Sequence, residues 1–262
     1  MKIFEKYLTI WVGLSILLGL FLGNNFNRIF ITIAEYSYEN INLIIALLVW
    51  IMIYPMMLGV DFKCIKKTWS NPHGLYLTIF INWVVKPFSM AGISILFFRF
   101  IFIDFVSIDD ANSYIAGMIL LGVAPCTAMV FIWSKLVNGD ANYTLLQVSI
   151  NDLILIIAFP IITKLLLNVT GVIIPWGTLI GAVVLYVISP LILAILTRYI
   201  FLKNNVDKIN KLENVLKPFA ILGLLLTVVI LFGLQAEKIS HKPFVILLIS
   251  IPLIIQSVGI FA

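Results

Sequence analysis

The residues that could do chemistry centre on Cys126, which follows a proline in the middle of an apolar stretch. Pro125 has no amide donor and clashes with the preceding turn, so it predicts a helix break near Gly122–Pro125. A helix that restarts at Pro125 would place Cys126 and Thr127 in its first turn, where free amides and the helix dipole favour an anion or a thiolate. Alone, a buried cysteine is more often a small packing residue. The adjacent break favours the role of a ligand.

Two other apolar stretches carry polar side chains at a similar depth. These are Asn82 and Lys86 in one stretch, and Gln147, Asn151 and Asp152 in another. At about 1.5 Å per residue, Lys86 and Asn151 both lie near the middle of a bilayer if their stretches are spanning helices. An ionisable group at that depth is by default a functional hypothesis. The sequence therefore predicts one site to which three spans contribute polar groups.

The two charged members of this set, Lys86 and Asp152, leave two interpretations open. They could form a structural ion pair that neutralises two charges inside the membrane. They could also couple transport to an ion, with Asp152 as the proton acceptor, because intramembrane carboxylates serve as proton relays. The first interpretation does not exclude the second. Asn82 lies four residues before Lys86 on the same helix face and is assigned with them to ion coupling.

The elements that must hold these groups are membrane-spanning helices. Of 262 residues, 62% are apolar and 11% are charged, with a mean hydropathy of +1.14, whereas a soluble domain is about 45–50% apolar and roughly 25% charged. A spanning helix needs about 20 mostly apolar residues. Suitable stretches lie at residues 7–23, 41–60, 75–98, 113–135, 142–167, 176–202, 214–234 and 243–262. They predict an all-α integral membrane protein with about eight transmembrane helices and a broken fourth helix.

The distribution of charge predicts the orientation of these helices. Most basic residues fall on the cytoplasmic side when the N-terminus is placed in the cytoplasm, as the positive-inside rule requires. We therefore expect a multi-pass protein of the plasma membrane with a cytoplasmic N-terminus. The six tryptophans are mostly near span ends, where they would be interfacial anchors.

Several classes of function are excluded or disfavoured at this point. A nucleic-acid-binding protein is excluded, because the lysines lie in short connections between apolar stretches. The sequence has no phosphate loop, no HExxH helix and no Gly-x-Ser-x-Gly elbow, so an enzyme is not expected. We expect no catalytic residue, no cofactor and no metal site. The partners expected are a small solute, a coupling ion and the lipid bilayer.

Several segments together resemble one family of carriers. Gly122-Val-Ala-Pro-Cys-Thr-Ala-Met-Val-Phe-Ile-Trp-Ser134, with the segments 139–144 and 147–152 after it, resembles the arsenical-resistance carriers that export arsenite. These carriers belong to the bile acid/sodium symporter superfamily. The segments 52–57 and 82–88 resemble the second and third spans of that family. The similarity extends along essentially the whole chain.

The resemblance implies a ten-helix carrier fold of two inverted five-helix repeats, with broken helices in spans four and nine. On that pattern, residues 1–167 form the first five-helix repeat, and residues 168–262 form three helices of an incomplete second repeat. The ninth and tenth spans, and the acidic residue that the family carries in the ninth, have no counterpart in this sequence. A C-terminally truncated member is therefore expected.

The resemblance also implies that Cys126 is central to metalloid transport. Arsenite is largely neutral As(OH)3 at pH 7, and trivalent arsenic is soft and binds thiolates. Cys126 would be the thiol ligand, and Thr127, Gln147 and Asn151 could hydrogen-bond the hydroxyl groups. Cys64 is predicted to lie roughly 15 Å away in depth, so it cannot share the same arsenic atom. A single thiol gives weak binding, which suits a carrier.

We therefore predict an ion-coupled secondary transporter that exports arsenite or antimonite across the plasma membrane. The coupling ion is expected to be H+ rather than Na+, which makes the protein a proton antiporter. One alternative is a sodium-coupled symporter of organic anions with the same fold, in which Lys86 would meet the anion. Another is a non-functional truncated remnant or a subunit that needs a partner. The oligomeric state is left open.

Overall fold

The computed structural model describes residues 7–38, 41–59, 73–125, 130, 134, 137–172, 174–203 and 205–261. Nearly all of them are helical. The strands described are two residues each, β1 (Ser37–Tyr38) and β2 (Ile41–Asn42), and they pair antiparallel. The prediction of an all-α protein is confirmed.

The described helices are given in chain order. They are α1 (Leu8–Asn25), α2 (Asn27–Glu35), α3 (Leu43–Gly59), α4 (His73–Phe80), α5 (Lys86–Leu96), α6 (Ile108–Val123), α7 (Ala141–Leu167), α8 (Trp176–Val183), α9 (Ser189–Leu196), α10 (Val206–Leu234), α11 (Ala236–His241) and α12 (Pro243–Phe261). Five-residue π turns join α4 to α5 (Ile81–Val85) and α8 to α9 (Val184–Ile188), and others extend α5 (Phe97–Ile101) and α9 (Thr197–Phe201). A 3₁₀ turn, Asn168–Thr170, follows α7.

In the part of the chain that the structure describes, six helical segments are long and apolar enough to cross a membrane. They are Leu8–Asn25, His73–Ile101, Leu146–Leu167, Trp176–Phe201, Val206–Leu234 and Pro243–Ile260. A shorter apolar helix, Leu43–Pro55, occupies the predicted second span, and α6 lies in the predicted fourth. The chain is therefore a multi-pass membrane protein, as its hydropathy predicts.

One boundary differs from the predicted one, and one helix is additional. α10 begins at Val206 and not near residue 214, because the side chain of Asn205 caps it by accepting a hydrogen bond from the amide of Lys208 at 3.1 Å. Its first turns are polar and extend the helix beyond its apolar part. The nine-residue helix α2 was not predicted, since a segment of that length is too short to register as a span.

The chain divides into two compact units, each made of two separate segments. Residues 1–60 and 181–242 form unit one, and residues 61–180 and 243–262 form unit two. Each unit thus contains helices from both predicted five-helix repeats, and α8 crosses from one unit to the other. The predicted repeats, residues 1–167 and 168–262, describe relatedness along the sequence, and that division stays a prediction.

In unit one, glycines let α1 pack directly against the backbone of α10. A Cβ atom at Gly19 would lie 2.6 Å from the carbonyl oxygen of Val229. One turn further on, a Cβ atom at Gly23 would collide with the backbone of Gly233. This Gly-x-x-x-Gly pattern replaces side-chain contacts with close backbone contact, as in other membrane helix pairs.

The π turn before Pro190 is stabilised by a side chain of α3. Within this turn the amide of Ser189 donates to the carbonyl oxygen of Val184, five residues back. The next carbonyl, that of Leu185, would then need the amide of Pro190, which does not exist. Trp50 Nε1 donates to Leu185 O at 2.6 Å instead. The sixth predicted span is therefore attached to the second at its widened turn.

Unit two has a continuous apolar core between the third and fourth predicted spans. α5 and its flanking π turns contribute Trp83, Met90 and Phe98, and α6 contributes Ile115, Ile119 and Val123, all 5% exposed or less. α7 and α12 complete the core with Leu166, Leu167 and Leu248. This core fixes the three helical segments that carry the described site residues, and it packs α12 against them.

Candidate functional site

Asn151 is the centre of a cluster of polar side chains between α7 and the π turn that precedes α5. Its side-chain oxygen accepts hydrogen bonds from Asn82 Nδ2 at 3.2 Å and from Trp83 Nε1 at 3.0 Å. Its side-chain nitrogen donates to the carbonyl oxygen of Gln147 at 2.8 Å. Asn151 is only 3% exposed. Because polar groups inside a membrane must be satisfied internally, these bonds fix the orientation of the amide.

The sequence around Pro87 explains why Asn82 and Trp83 reach this cluster. Proline removes a helical hydrogen bond, and the turn before it is widened, so that the amide of Lys86 bonds to the carbonyl oxygen of Ile81. The wider turn carries Asn82 and Trp83 toward α7. Trp83 is buried at the centre of unit two and is an exception to the prediction that tryptophans lie near span ends. Its position beside Asn82 was the signal in the sequence that could have identified it.

Gln147 lies one turn before Asn151 on α7 and has one unsatisfied polar atom. Its Nε2 donates to the carbonyl oxygen of Gly74 at 3.2 Å. Its Oε1 is buried and has no hydrogen-bond partner among the residues described. An unsatisfied buried acceptor costs about 1–3 kcal/mol. A solute that offers a hydroxyl or amide donor here would remove that penalty.

α6 ends at Val123, just before the proline of the fourth predicted span. Ala124 is extended, with φ −73° and ψ 122°, and Pro125 is also outside the helix. Gly122 still belongs to α6, where its role is packing: a Cβ atom there would lie 2.7 Å from Met90 Cβ. The predicted ligands Cys126 and Thr127 lie outside the described residues.

Lys86 connects the third predicted span to the end of α6. Its Nζ donates to the carbonyl oxygen of Ala124 at 2.7 Å, the short distance typical of a charge-assisted hydrogen bond. Its own carbonyl oxygen accepts a hydrogen bond from Gln256 Nε2 at 2.7 Å, and the same nitrogen lies 3.0 Å from Ser89 Oγ. Gln256 thus attaches α12 to the first turn of α5. Nothing in its own stretch of sequence indicates this partner, which lies 170 residues away.

Asp152 is buried in unit two, with 7% of its surface exposed, and directly follows Asn151 on α7. The predicted ion pair between Asp152 and Lys86 stays a prediction. The described residues therefore bring Asn82, Gln147 and Asn151 together through hydrogen bonds and place Lys86 at the end of α6. Within the described residues, no group of three or more His, Cys, Asp and Glu side chains could hold a metal ion. The arrangement suits a polar solute with hydrogen-bond donors.

Comparison with known proteins gives a consistent result along the chain. Residues 46–242 match the model of a family described as the sodium bile acid symporter family. The arsenical-resistance protein Acr3 of Alkaliphilus metalliredigens (strain QYMF) is 44% identical over 262 residues, which cover 98% of this chain and 73% of that protein. An uncharacterized transporter of Synechocystis sp. is 36% identical over 272 residues, covering 100% of this chain and 71% of that protein. The Acr3 protein of Corynebacterium glutamicum is 29% identical over 268 residues, covering 98% and 70%.

Proposed function

The chain belongs to the sodium bile acid symporter family, and on that premise we propose that it is a secondary transporter that exports arsenite. The observation that carries this proposal is the buried Oε1 of Gln147, an acceptor without a donor among the described residues. Neutral As(OH)3 consists of three hydroxyl donors around a thiophilic atom. Two relatives are named arsenical-resistance proteins, which supports the same substrate.

The solute is held by one soft ligand and several hydrogen bonds. Cys126 provides the sulfur ligand that trivalent arsenic prefers: its thiol displaces one hydroxyl group of As(OH)3 as water, and the reverse exchange with water releases the solute. Gln147, Asn151 and Thr127 bind the two remaining hydroxyl groups. Because Asn151 is already fixed by Asn82 and Trp83, little ordering is needed when the solute arrives. Antimonite has the same chemistry and is transported in the same way.

Export is driven by protons entering the cell. Asp152 is the proton acceptor, and its burial on α7 directly after Asn151 supports this role. Asn82 and Lys86 adjust the environment of the ion from the third span. The protein lies in the plasma membrane with a cytoplasmic N-terminus, so arsenite leaves the cytoplasm and protons return.

The test is arsenite uptake by everted membrane vesicles from cells that lack other arsenite exporters. We expect Cys126→Ser to reduce the initial rate about tenfold or more, since the thiolate ligand is lost. The matched control is Cys64→Ser, which removes the other cysteine and should leave the rate unchanged. Equal rates for Cys126→Ser and the parent chain, at equal amounts of protein in the membrane, would contradict the proposal.

A second vesicle experiment tests the coupling ion. Collapsing the proton gradient with an uncoupler, or replacing Asp152 with Asn, should abolish accumulation of arsenite against its gradient. The description of the family favours a competing function, sodium-coupled symport of organic anions. Bile-acid uptake that requires a sodium gradient, together with no arsenite accumulation, would establish that function instead.

A further inference from the structure

We infer that the ammonium group of Lys86 is a built-in substitute for a coupling metal cation, so that this transporter works without sodium. The inference rests on the proposed function only in treating the chain as an ion-coupled transporter. It starts from one contact in unit two, the 2.7 Å hydrogen bond from Lys86 Nζ to the carbonyl oxygen of Ala124.

The Ala124 carbonyl is the kind of group to which transporters bind ions. Membrane carriers coordinate Na+ with backbone carbonyls that an interrupted helix has released. Ala124 is such a residue, because its ψ of 122° takes it out of the helical conformation at the end of α6. A monovalent cation does lie against this oxygen, and it is the lysine side chain.

Three features of the structure hold the ammonium group in this position. Gly122 lets α6 approach Met90 on α5, which brings the broken end of α6 close to the start of α5. Pro87 widens the turn immediately before Lys86. Gln256 anchors the carbonyl of Lys86 from α12. Because the backbone of Lys86 is held on these sides, the fold holds its ammonium group in one position.

Burying a lysine halfway along a span is unfavourable unless its charge is used or compensated. Lys86 is only partly exposed, and the buried residue Asp152 belongs to the same unit. A structural role alone would require only a hydrogen-bond donor near Ala124. If the ammonium group substitutes for a cation, its removal should in addition leave a site that a free cation can occupy.

The experiment measures thermal unfolding of the purified full chain in detergent, with sodium chloride or choline chloride at equal ionic strength and without arsenite. The parent chain should unfold at the same temperature in both salts. Lys86→Ala should unfold at a lower temperature in choline and regain part of the loss in sodium. It should also regain part with n-propylammonium, which replaces the carbon atoms and nitrogen removed. Lys86→Met fills the space without a charge and should respond to neither cation.

The matched control is Lys164→Ala. Lys164 Nζ also donates to a backbone carbonyl, that of Ile174, at 2.8 Å, but it lies at the end of α7. Its loss should produce no sodium effect. Sodium-dependent stability or sodium-dependent transport of the parent chain would overturn the inference, and so would equal responses of Lys86→Ala and Lys86→Met. Stabilisation of the parent chain by sodium would overturn the inference even if the alanine variant does not fold. Absence of arsenite transport with this pattern of stabilities would reject the proposed substrate and leave the cation inference standing.

Discussion

Replacing Asn151 with Leu should destabilise the protein through the donors that it leaves unpaired. Leu has the same branched arrangement of heavy atoms as Asn, although its methyl groups are bulkier, and Trp83 Nε1 and Asn82 Nδ2 both lose their acceptor. Trp83 is buried, with 5% of its surface exposed. An unsatisfied buried donor costs about 1–3 kcal/mol, while interhelical hydrogen bonds in membrane proteins average about 0.6 kcal/mol. We expect a loss of about 1–3 kcal/mol in the free energy of unfolding.

The assay is unfolding in mixed micelles of increasing dodecyl sulfate content, followed by circular dichroism. The control is Ile157→Ala on the same helix, because Ile157 is 68% exposed and faces away from the core. Trp83→Phe removes the donor itself, so the double variant with Asn151→Leu should be more stable than the sum of the single losses predicts. Strictly additive losses, or an Asn151→Leu variant as stable as Ile157→Ala, would refute the reasoning.

Two more predictions concern the packing of Gly122 against Met90 and the hydrogen bond that Trp50 donates to the carbonyl oxygen of Leu185. Gly122→Ala should lower the free energy of unfolding by about 1–3 kcal/mol, since its new Cβ would lie 2.7 Å from Met90 Cβ. The control is Gly117→Ala on the same helix, which should be neutral or stabilising because nothing lies within 4 Å of its Cβ. Equal stabilities of the two variants in the same unfolding assay would contradict the packing argument. Trp50→Phe should cost about 1–2 kcal/mol, because it removes the donor to Leu185 O at 2.6 Å, and an unchanged unfolding curve would show that this carbonyl needs no partner.

Hydropathy and proline chemistry explain how much of this molecule could be predicted from its sequence. Six of the predicted spans lie on helical segments long and apolar enough to cross a membrane in the part of the chain that the structure describes, because the requirement for satisfied backbone groups leaves few alternatives in lipid. The end of α6 at Val123 follows from the same rule about proline that located the interruption of the fourth span. Counting residues along helices also put Asn82 and Asn151 at one depth, and they are in direct contact.

The remaining features depend on contacts that no local pattern contains. Gln256 finds the carbonyl of Lys86 only because α12 packs beside α5. Gly122 lies within one residue of the end of α6, but its missing side chain also serves close packing against Met90, which the sequence does not indicate. The glycines of α1 were not recognised as a packing surface, since a composition of small residues does not specify its partner. The widened turns before Pro87 and Pro190 interrupt the regular helical repeat, so helix periodicity cannot be counted across them.

The widened turn Ile81–Val85 has a consequence for how this region tolerates changes in length. A π turn contains about one residue more than a regular turn of the same rise. Deleting Val84 could therefore restore an uninterrupted regular helix, and the membrane would still be crossed. Because the residue removed is the extra one, the halves of the helix before and after the deletion would keep their relative orientation. What would be lost is the widened turn that carries Asn82 and Trp83 to Asn151. A shortened chain of this kind should insert normally and yet be inactive, which would separate the requirements of membrane insertion from those of transport.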